Sequence, residues 1–328
     1  NHKDMKSRFL IYFFPAAADM IIAAIMFVCS NRLADAGKSR TEVAIVFAAW
    51  AFVYIIGNQI LACLVNSRNA ARMMMISSAV FASTSIAFIF VQNALFVYAV
   101  MGILAAGSSL FFLPFQLFMK AAEPDQNTGV VRSVSLYTFS WSFGFACGPF
   151  AAGFIYNAFG WQWCFIMTFL MAVMTAVGVQ LLKHHARHHS KADTSSVHFN
   201  FDELNYDAMP DIAYVGWFVG GAGCLGVYSL LALLPSIGVF FEFPKSQIGS
   251  ITAAIYFIQA ATGLSLMKSK TWMFRAAPAV SFTSCGLVSM ACLVIALMPF
   301  AGKIILLSVS LRTLSLYGLA IFYGVFSG

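Results

Sequence analysis

The stretch "SFGFACGPFAAGFIYNAFGWQWCF", residues 142–165, combines apolar side chains with closely spaced glycines. Gly144, Gly148 and Gly153 carry no side chain, so a neighbouring helix can approach the backbone at these positions. Pro149 lacks a backbone N–H and therefore weakens the helix where it would bend. The stretch thus predicts a bent helix that packs closely against other helices.

The rest of the chain shares this apolar character. Hydrophobic residues make up 61% of the 328 residues, charged residues make up 9%, and the mean hydropathy is +0.83. Water-soluble globular domains do not have this composition. A helix needs about 20 mostly apolar residues to cross the hydrocarbon core, where its backbone must satisfy its own hydrogen bonds. The sequence predicts an all-α, polytopic membrane protein with about ten spans, at 9–31, 43–65, 73–91, 94–118, 131–156, 161–182, 212–235, 247–267, 277–299 and 304–326.

The formal net charge is +7, and the positions of the basic residues indicate topology rather than nucleic-acid binding. If the N-terminus is cytoplasmic, the cytoplasmic segments hold 13 of the 19 basic residues, namely Lys3, Lys6, Arg8, Arg68, Arg72, Lys120, Arg132, Lys183, Arg187, Lys191, Lys268, Lys270 and Arg275. The opposite side holds 5, namely Arg32, Lys38, Arg40, Lys245 and Lys303. Cytoplasmic segments of membrane proteins carry an excess of Lys and Arg. We therefore expect a multi-pass protein of the cell membrane, plasma or inner, with a cytoplasmic N-terminus.

Cysteine and histidine usage predicts no metal site and no cofactor. The 7 cysteines lie within apolar runs and form no CxxC pair, which indicates neither a disulfide framework nor a zinc site. The run "HHARHH", residues 184–189, places histidines four residues apart, a spacing that can hold a metal on a helix. Its basic neighbours Lys183 and Lys191 favour a cationic anchor at the lipid headgroups instead.

The longest polar segment runs from Lys183 to Pro210 and separates six predicted spans from four. We therefore expect an N-terminal six-helix bundle at 1–182, a cytoplasmic central loop at 183–210, and a C-terminal bundle at 211–328 that holds helices 7–10. The chain begins without Met and ends inside its tenth apolar run, so we expect it to be a fragment.

The glycine and proline spacing resembles that of the major facilitator superfamily, whose fifth helix carries a GxxxGPxxGG-type motif. Ala152 stands where one glycine of that motif is usual. The sequence GWQW that follows is similar to the GWRW-like start of the family's sixth helix, with Gln162 in place of a frequent arginine. Four motif residues match, namely Gly144, Gly148, Pro149 and Gly153.

A second family motif, GxxxDRxGRR, falls on "CLVNSRNAAR" at residues 63–72. Arg68 and Arg72 match, while Ser67 and Ala70 replace the aspartate and a glycine. The resemblance implies that the two arginines, like the matching residues of the fifth helix, serve helix packing or gating.

This resemblance implies two six-helix bundles of which the last two of twelve spans are missing here. It also implies a monomeric secondary transporter without enzymatic activity, which moves a small solute by alternating access. The fifth-helix motif resembles the antiporter signature and favours proton-coupled export of an amphipathic or drug-like compound. Proton-coupled uptake or exchange of an organic anion or other metabolite is an alternative. A sensor that does not transport, or a lipid-translocating protein on the same scaffold, is another.

Two formal charges lie deep within the predicted spans. Asp19 follows Arg8 by 11 residues, roughly 16 Å along a helix, and Arg312 follows Lys303 by 9 residues, roughly 13 Å. A charge in the hydrocarbon region is costly unless it faces water or a partner, so each residue predicts a functional site. One hypothesis is that Asp19 is the proton-coupling carboxylate. The other is that Arg312 binds an anionic group of the substrate and that Asp19 holds Arg312 in place when the site is empty. The alternatives are a structural ion pair or two unrelated side chains that reach the interface.

Mid-span polar and aromatic residues are further candidates for the lining of a solute cavity. Tyr137 and Trp141 are four residues apart, so they share a helix face, and the same holds for Tyr256 and Gln259 at a separation of three. Packing or hydrogen bonding between helices is the alternative role for each candidate. The full set is Tyr137, Trp141, Trp217, Tyr228, Tyr256 and Gln259.

Overall fold

The computed structural model describes residues 2–66, 69–122, 130–189 and 228–266, and Gly318. This part of the chain contains helices and no strand, which confirms the all-α fold. Predicted span 277–299 lies outside it, as do the first part of the seventh span and all of span 304–326 except Gly318. The helices are α1 (His2–Asp35), α2 (Arg40–Ala62), α3 (Ala70–Phe90), α4 (Ala94–Ala122), α5 (Val130–Phe159), α6 (Trp161–His189), α7 (Tyr228–Phe240) and α8 (Lys245–Leu266).

Helix α6 continues to His189, so it extends into the segment expected to begin the central loop at 183. The run of histidines with Lys183 and Arg187 contains no glycine or proline that would end the helix earlier. The first residues of that segment are therefore helical.

Five helices in the described ranges are long and apolar enough to cross a membrane, namely α1 from Tyr12, α2, α3, α4 to Leu117 and α6 to Leu181. Large apolar side chains on their outer surfaces are exposed, among them Phe52 and Phe90. Such a surface is unfavourable in water and is accommodated by lipid. Burial differs sharply between helices: 83% of the apolar window of α1 is buried, against 17% of that of α2. Helix α1 is thus enclosed by protein, whereas α2 presents a wide face to lipid.

Helix α1 is enclosed because α5 approaches it at two glycines. A Cβ atom added at Gly148 would lie 2.6 Å from the carbonyl oxygen of Met20 and 2.9 Å from the backbone nitrogen of Ala24. An added Cβ at Gly144 would overlap the carbonyl group of Ala16. The backbones of α1 and α5 are therefore in direct contact, as small residues permit in membrane helices.

Helix α8 lies on α5 in the same way. A Cβ added at Gly153 would lie 2.7 Å from the carbonyl oxygen of Lys245 and 3.2 Å from Cα of Gly249. One added at Gly249 would overlap the carbonyl oxygen of Pro149. Gly153 of α5 and Gly249 of α8 thus bring the backbones of these two helices into contact.

The remaining helices pack through small and hydroxyl-bearing residues. Helix α4 contacts α2 and α3, and α3 also contacts α6. Ser77 donates a hydrogen bond to the carbonyl oxygen of Gly107 (2.6 Å), and Thr168 donates one to Ser85 (3.0 Å). Hydrogen bonds between helices stabilise membrane bundles because their polar groups have no water to bond with in lipid.

Arg32, near the end of α1, forms hydrogen bonds with the end of α3. Its guanidinium donates hydrogen bonds to the carbonyl oxygens of Phe88 (3.1 Å) and Val91 (2.9 Å). The last carbonyls of a helix have no partner within the helix, and a cation beside them is favourable. The guanidinium carbon also lies 3.7 Å from the ring centroid of Trp161. Trp161 therefore serves packing between helices, while Trp163 has the exposed position expected of an interfacial aromatic residue.

We expect Gly148→Ala to reduce the free energy of unfolding by about 1–3 kcal/mol, the usual cost of overpacking a core. The backbone atoms of α1 that the new methyl group meets cannot rotate away. Thermal unfolding of the purified protein in detergent measures the effect. Gly102→Ala in α4 is the matched control, because its added Cβ would meet only Val53 Cγ2 at 3.5 Å and alanine favours helix. Equal shifts of Tm in the two variants would contradict the close contact of α1 and α5.

We expect Arg32→Gln to lower Tm more than Arg40→Gln, since Arg40 is exposed at the start of α2. Loss of the guanidinium leaves two carbonyl oxygens without their donor, at a cost of about 1–3 kcal/mol for each buried group. Trp161→Leu should show part of the same loss. The double variant should be less destabilised than the sum of the single variants, because the two side chains contact each other. Strict additivity would rule out the stacked arrangement.

Candidate functional site

Asp19 lies in the enclosed part of α1. Only 4% of its surface is exposed, and its Oδ2 atom has no hydrogen-bond partner in the part of the chain that the structure describes. The adjacent Ala18 and the following Ile21 and Ile22 are completely buried. The sequence places the carboxyl group there because alanines and isoleucines favour tight packing around α1. An unpaired carboxyl group in such surroundings is costly and marks a candidate site.

Polar side chains from three other helices surround Asp19. Tyr54 of α2 and Tyr137 of α5 both lie within electrostatic range of its carboxyl group. Asn58, one turn further along α2, lies near Tyr54, and Gln116 of α4 lies near Tyr137. We call these five residues the Asp19 cluster. Gln116 is exposed and the two tyrosines are partly buried, so the cluster has an accessible face.

Aromatic rings extend from both tyrosines of the cluster. The rings of Trp50 and Tyr54 stack with centroids 4.7 Å apart and planes inclined by 12°. The Trp50 indole donates a hydrogen bond to Ser108 of α4 (3.3 Å), which fixes the orientation of this pair. On the other side, the rings of Phe115 and Tyr137 stack at 6.0 Å. The carboxyl group thus lies near two pairs of stacked rings.

A second aromatic group joins α5 to α8. The ring of Tyr256 lies 5.0 Å from that of Phe145 and 6.4 Å from that of Trp141, measured between centroids. Tyr256 and Gln259 are buried, and Tyr256 lines an apolar cavity of about 20 Å³ together with Tyr228. A cavity of this size holds about one water molecule and no larger solute. The described residues thus leave no room for a larger solute between these helices.

An ion pair connects α1 and α8 at the end of the bundle where α1, α3 and α5 end and α6 and α8 begin. We call this the Asp35 end. The Lys245 ammonium lies 2.5 Å from Oδ1 of Asp35, and the Tyr156 hydroxyl donates a hydrogen bond to Oδ2 (2.8 Å). A cavity of about 370 Å³, lined in part by Arg32 and Lys38, lies beside this group. Asp35, Tyr156 and Lys245 form what we call the Asp35 bridge.

The structure describes only some of the residues predicted from sequence. Arg312, Trp217 and Arg68 lie outside the described residues, so a contact between Asp19 and Arg312 stays a prediction. Arg72 is exposed on α3. The described ranges contain no group of three His, Cys, Asp or Glu side chains that could hold a metal ion.

Some residues of this site are not predicted from the sequence. Tyr54, Asn58 and Gln116 are polar-tipped residues inside apolar runs, the same signal that indicates Tyr137. The charge pattern places Lys245 among the five basic residues on the side opposite the cytoplasm. Nothing in the sequence near Lys245 indicates that it pairs with Asp35. The two residues are 210 positions apart.

Comparison with known protein families agrees with this architecture. The family model described as Major Facilitator Superfamily matches residues 9–328, which is nearly the whole chain. No curated protein matches the chain. The match confirms the resemblance that rests on the glycines and proline of α5. The chain belongs to the Major Facilitator Superfamily and is a multi-pass membrane protein of this family of small-molecule transporters.

Proposed function

We propose that the protein exports an amphipathic or drug-like small molecule in exchange for protons, by alternating access across the cell membrane. The observation that carries the proposal is the buried Asp19 carboxyl group without a hydrogen-bond partner for Oδ2. A purely structural carboxyl group at this depth would be expected to have its partners in place. Its lack of one indicates that the group binds something during the transport cycle.

The Asp19 cluster suits a group that gains and loses a proton. Tyrosine hydroxyls and the amides of asparagine and glutamine both donate and accept hydrogen bonds. They can therefore solvate the carboxylate and also accept a hydrogen bond from the protonated acid after small rotations. Tyr54, Tyr137, Asn58 and Gln116 supply such groups from three helices. A site lined only by hydrogen-bond acceptors would not stabilise both the ionised and the protonated carboxyl group.

The charge distribution supports a cytoplasmic N-terminus, and the Asp35 end then faces the outside. At this end the Asp35 bridge ties α1 to α8, and the backbones of α5 and α8 touch at Gly153 and Gly249. The cavity that the described residues leave between α1, α5, α7 and α8 is too small for a solute. We therefore propose that this arrangement is a state closed to the outside, and export would require these contacts to open.

We expect Asp19→Asn to abolish proton movement linked to the solute while solute exchange persists, because asparagine keeps the shape of the side chain but takes up no proton. Proteoliposomes with a pH-sensitive dye inside and a panel of amphipathic cations, organic anions and sugars measure both quantities. Glu242→Gln is the control, since Glu242 is an exposed carboxylate in the turn before α8.

Loss of solute binding in Asp19→Asn, with no proton movement in the native protein, would indicate a facilitator or exchanger in which Asp19 is a ligand. Absence of saturable flux for every solute in the native protein would favour a sensor or a lipid-translocating protein. Either result would overturn proton-coupled export.

We expect Asp35→Asn to raise the rate at which an impermeant maleimide labels a cysteine at position 30 by about two- to fivefold, since a partly exposed ion pair contributes up to about 1 kcal/mol. Ser30 is buried and lines the closed cavity, and the native cysteines would first be replaced. The exchange Asp35→Lys with Lys245→Asp should restore slow labelling.

Lys38→Gln is the matched control for the bridge. It removes an exposed ion pair of 3.3 Å with Glu42 at the same end of the bundle, without any link to α8. Equal labelling of native protein, Asp35→Asn and the control would show that the bridge does not keep this end closed.

A further inference from the structure

We infer that the cavity beside the Asp35 bridge binds the phosphate group of an anionic phospholipid, whose acyl chains lie on the apolar surface next to it. In the orientation proposed above, this lipid belongs to the outer leaflet. The inference goes beyond the proposed function and does not rest on it, because the binding of a lipid at this end requires no movement of solute or protons. The two can therefore fail independently.

The first argument is the size and depth of the cavity. Its volume of about 370 Å³ lies within the range of cavities that hold small organic groups. Its lining residues lie close to helix ends, with Arg32 in the last turn of α1, Tyr156 near the end of α5 and Trp161 at the start of α6. The ends of membrane-spanning helices lie at the depth of the lipid headgroups. The cavity is therefore at the depth where phosphate groups are found.

The second argument is charge. The group at the cavity contains three cations, Arg32, Lys38 and Lys245, and two carboxylates, Asp35 and Glu42. Each carboxylate is paired with one of the lysines. Among the described residues Arg32 forms no ion pair, so the group has one positive charge more than it has negative charges. The phosphodiester of a phospholipid carries one negative charge and would balance it.

The third argument is the hydrogen-bonding capacity of Arg32. A guanidinium group has five N–H donors, and the carbonyl oxygens of Phe88 and Val91 accept from two of its nitrogen atoms. The ring of Trp161 contacts the face of the group and leaves its edge free for further hydrogen bonds. In the described part of the chain, the other N–H groups have no acceptor. Phosphate oxygens match the fork of arginine donors, so a phosphate would complete their hydrogen bonds.

Lys38, in the turn between α1 and α2, supplies a second cationic contact. Its ammonium lies 3.3 Å from Glu42, but both side chains are exposed and ion pairs of this kind contribute little. Glu42 also accepts a hydrogen bond from the backbone N–H of Ser39 (2.8 Å). Glu42 therefore keeps a partner when Lys38 turns towards a phosphate.

The fourth argument is the apolar surface next to the cavity, which favours a lipid over a water-soluble phosphate compound. Gln92 and Val97 line the cavity where α3 ends and α4 begins. Within a few residues of them, Phe90, Leu95 and Phe96 are exposed. Acyl chains cover a surface of this kind in a membrane. A phospholipid can therefore bind this surface while its phosphate reaches the guanidinium, whereas a compound without chains cannot.

Phosphatidylglycerol and phosphatidylcholine with identical acyl chains test the inference, because only phosphatidylglycerol has a net negative charge. Native mass spectrometry of the full chain in an uncharged detergent measures the affinity for the first bound molecule of each lipid. We expect phosphatidylglycerol to bind at least fivefold more tightly. Lys38→Gln should weaken its binding by about threefold to tenfold, the usual contribution of one basic residue near an anionic headgroup.

Arg40→Gln is the matched control for Lys38→Gln. It also removes one exposed positive charge at this end of the bundle, but Arg40 does not line the cavity. Its affinity for phosphatidylglycerol should equal that of the native protein. Equal affinities of the native protein for the two lipids, or equal losses in the two variants, would overturn the inference.

Two substitutions of Arg32 separate binding from folding. Arg32→Gln should weaken the binding of phosphatidylglycerol at least tenfold and leave that of phosphatidylcholine within twofold, with both measured below the Tm of the variant. Arg32→Lys keeps the charge but not the fork of donors, so it should retain part of the affinity. Equal losses for both lipids would show that Arg32 acts through folding alone and would overturn its role as a phosphate ligand.

Glycerol phosphate, which has no acyl chains, distinguishes a lipid from a water-soluble phosphate compound. We expect it to displace phosphatidylglycerol only at concentrations at least a hundredfold higher than that of the lipid, because it gains nothing from the apolar surface. Displacement at equal concentrations would show that the cavity takes a free phosphate compound, and would overturn the assignment to a phospholipid.

Discussion

Helix α5 touches α1 with one part of its backbone and α8 with another, and the positions of both charged sites depend on these contacts. Gly148 brings α5 onto α1 beside Met20, which encloses the helix segment that carries Asp19. Gly153 brings α5 onto the first turn of α8, which places Lys245 beside the end of α1. Helices with larger side chains at these positions would lie 8–10 Å apart, as ordinary packed helices do. The bridge to Asp35 would then be out of reach.

Asp19 and Arg32, two charged residues of α1, differ in the partners that the fold gives them. Arg32 donates to two carbonyl oxygens and stacks on Trp161, so it has partners within the fold and a structural role. Asp19 has an oxygen atom without a partner among the described residues. A fold gains nothing from an unpaired buried carboxyl group, whose burial is among the costly events in protein interiors. The function proposed above accounts for this cost, because it gives the group a partner in another step of the cycle.

Much of the fold follows from sequence because it depends on local signals. The spacing of Gly144, Gly148, Pro149 and Gly153 identifies the helix that packs most closely, and apolar length indicates the spans. The continuation of α6 to His189 differs from the expected loop because a polar, basic segment can also be helical when no glycine or proline interrupts it. Composition alone does not separate these two cases.

The sites follow from sequence only in part, since their members come from different helices. Asp19 is evident because a charge in an apolar run is unusual. Tyr54 and Gln116 carry the same kind of signal more weakly, and only the packing of the helices shows that Tyr54 lies near Asp19 and that Gln116 lies near Tyr137. The pairing of Asp35 with Lys245 depends on the contact between α5 and α8. No periodicity in either helix encodes it.

The free energies associated with the Asp35 bridge and with Asp19 indicate which of the two sites has more influence on a change of conformational state. The Asp35 bridge is partly exposed, and an ion pair of this kind contributes at most about 1 kcal/mol. Burying a charged carboxylate as deeply as Asp19 costs more free energy than this ion pair contributes. That cost changes whenever the charge is neutralised. Asp19 and Asp35 lie on the same helix, 16 positions or about 24 Å apart. A ligand shifts a conformational equilibrium only by its difference in affinity for the two states. In the function proposed above, the bridge would therefore adjust how long the Asp35 end stays closed, and occupancy at Asp19 would decide whether the protein leaves that state.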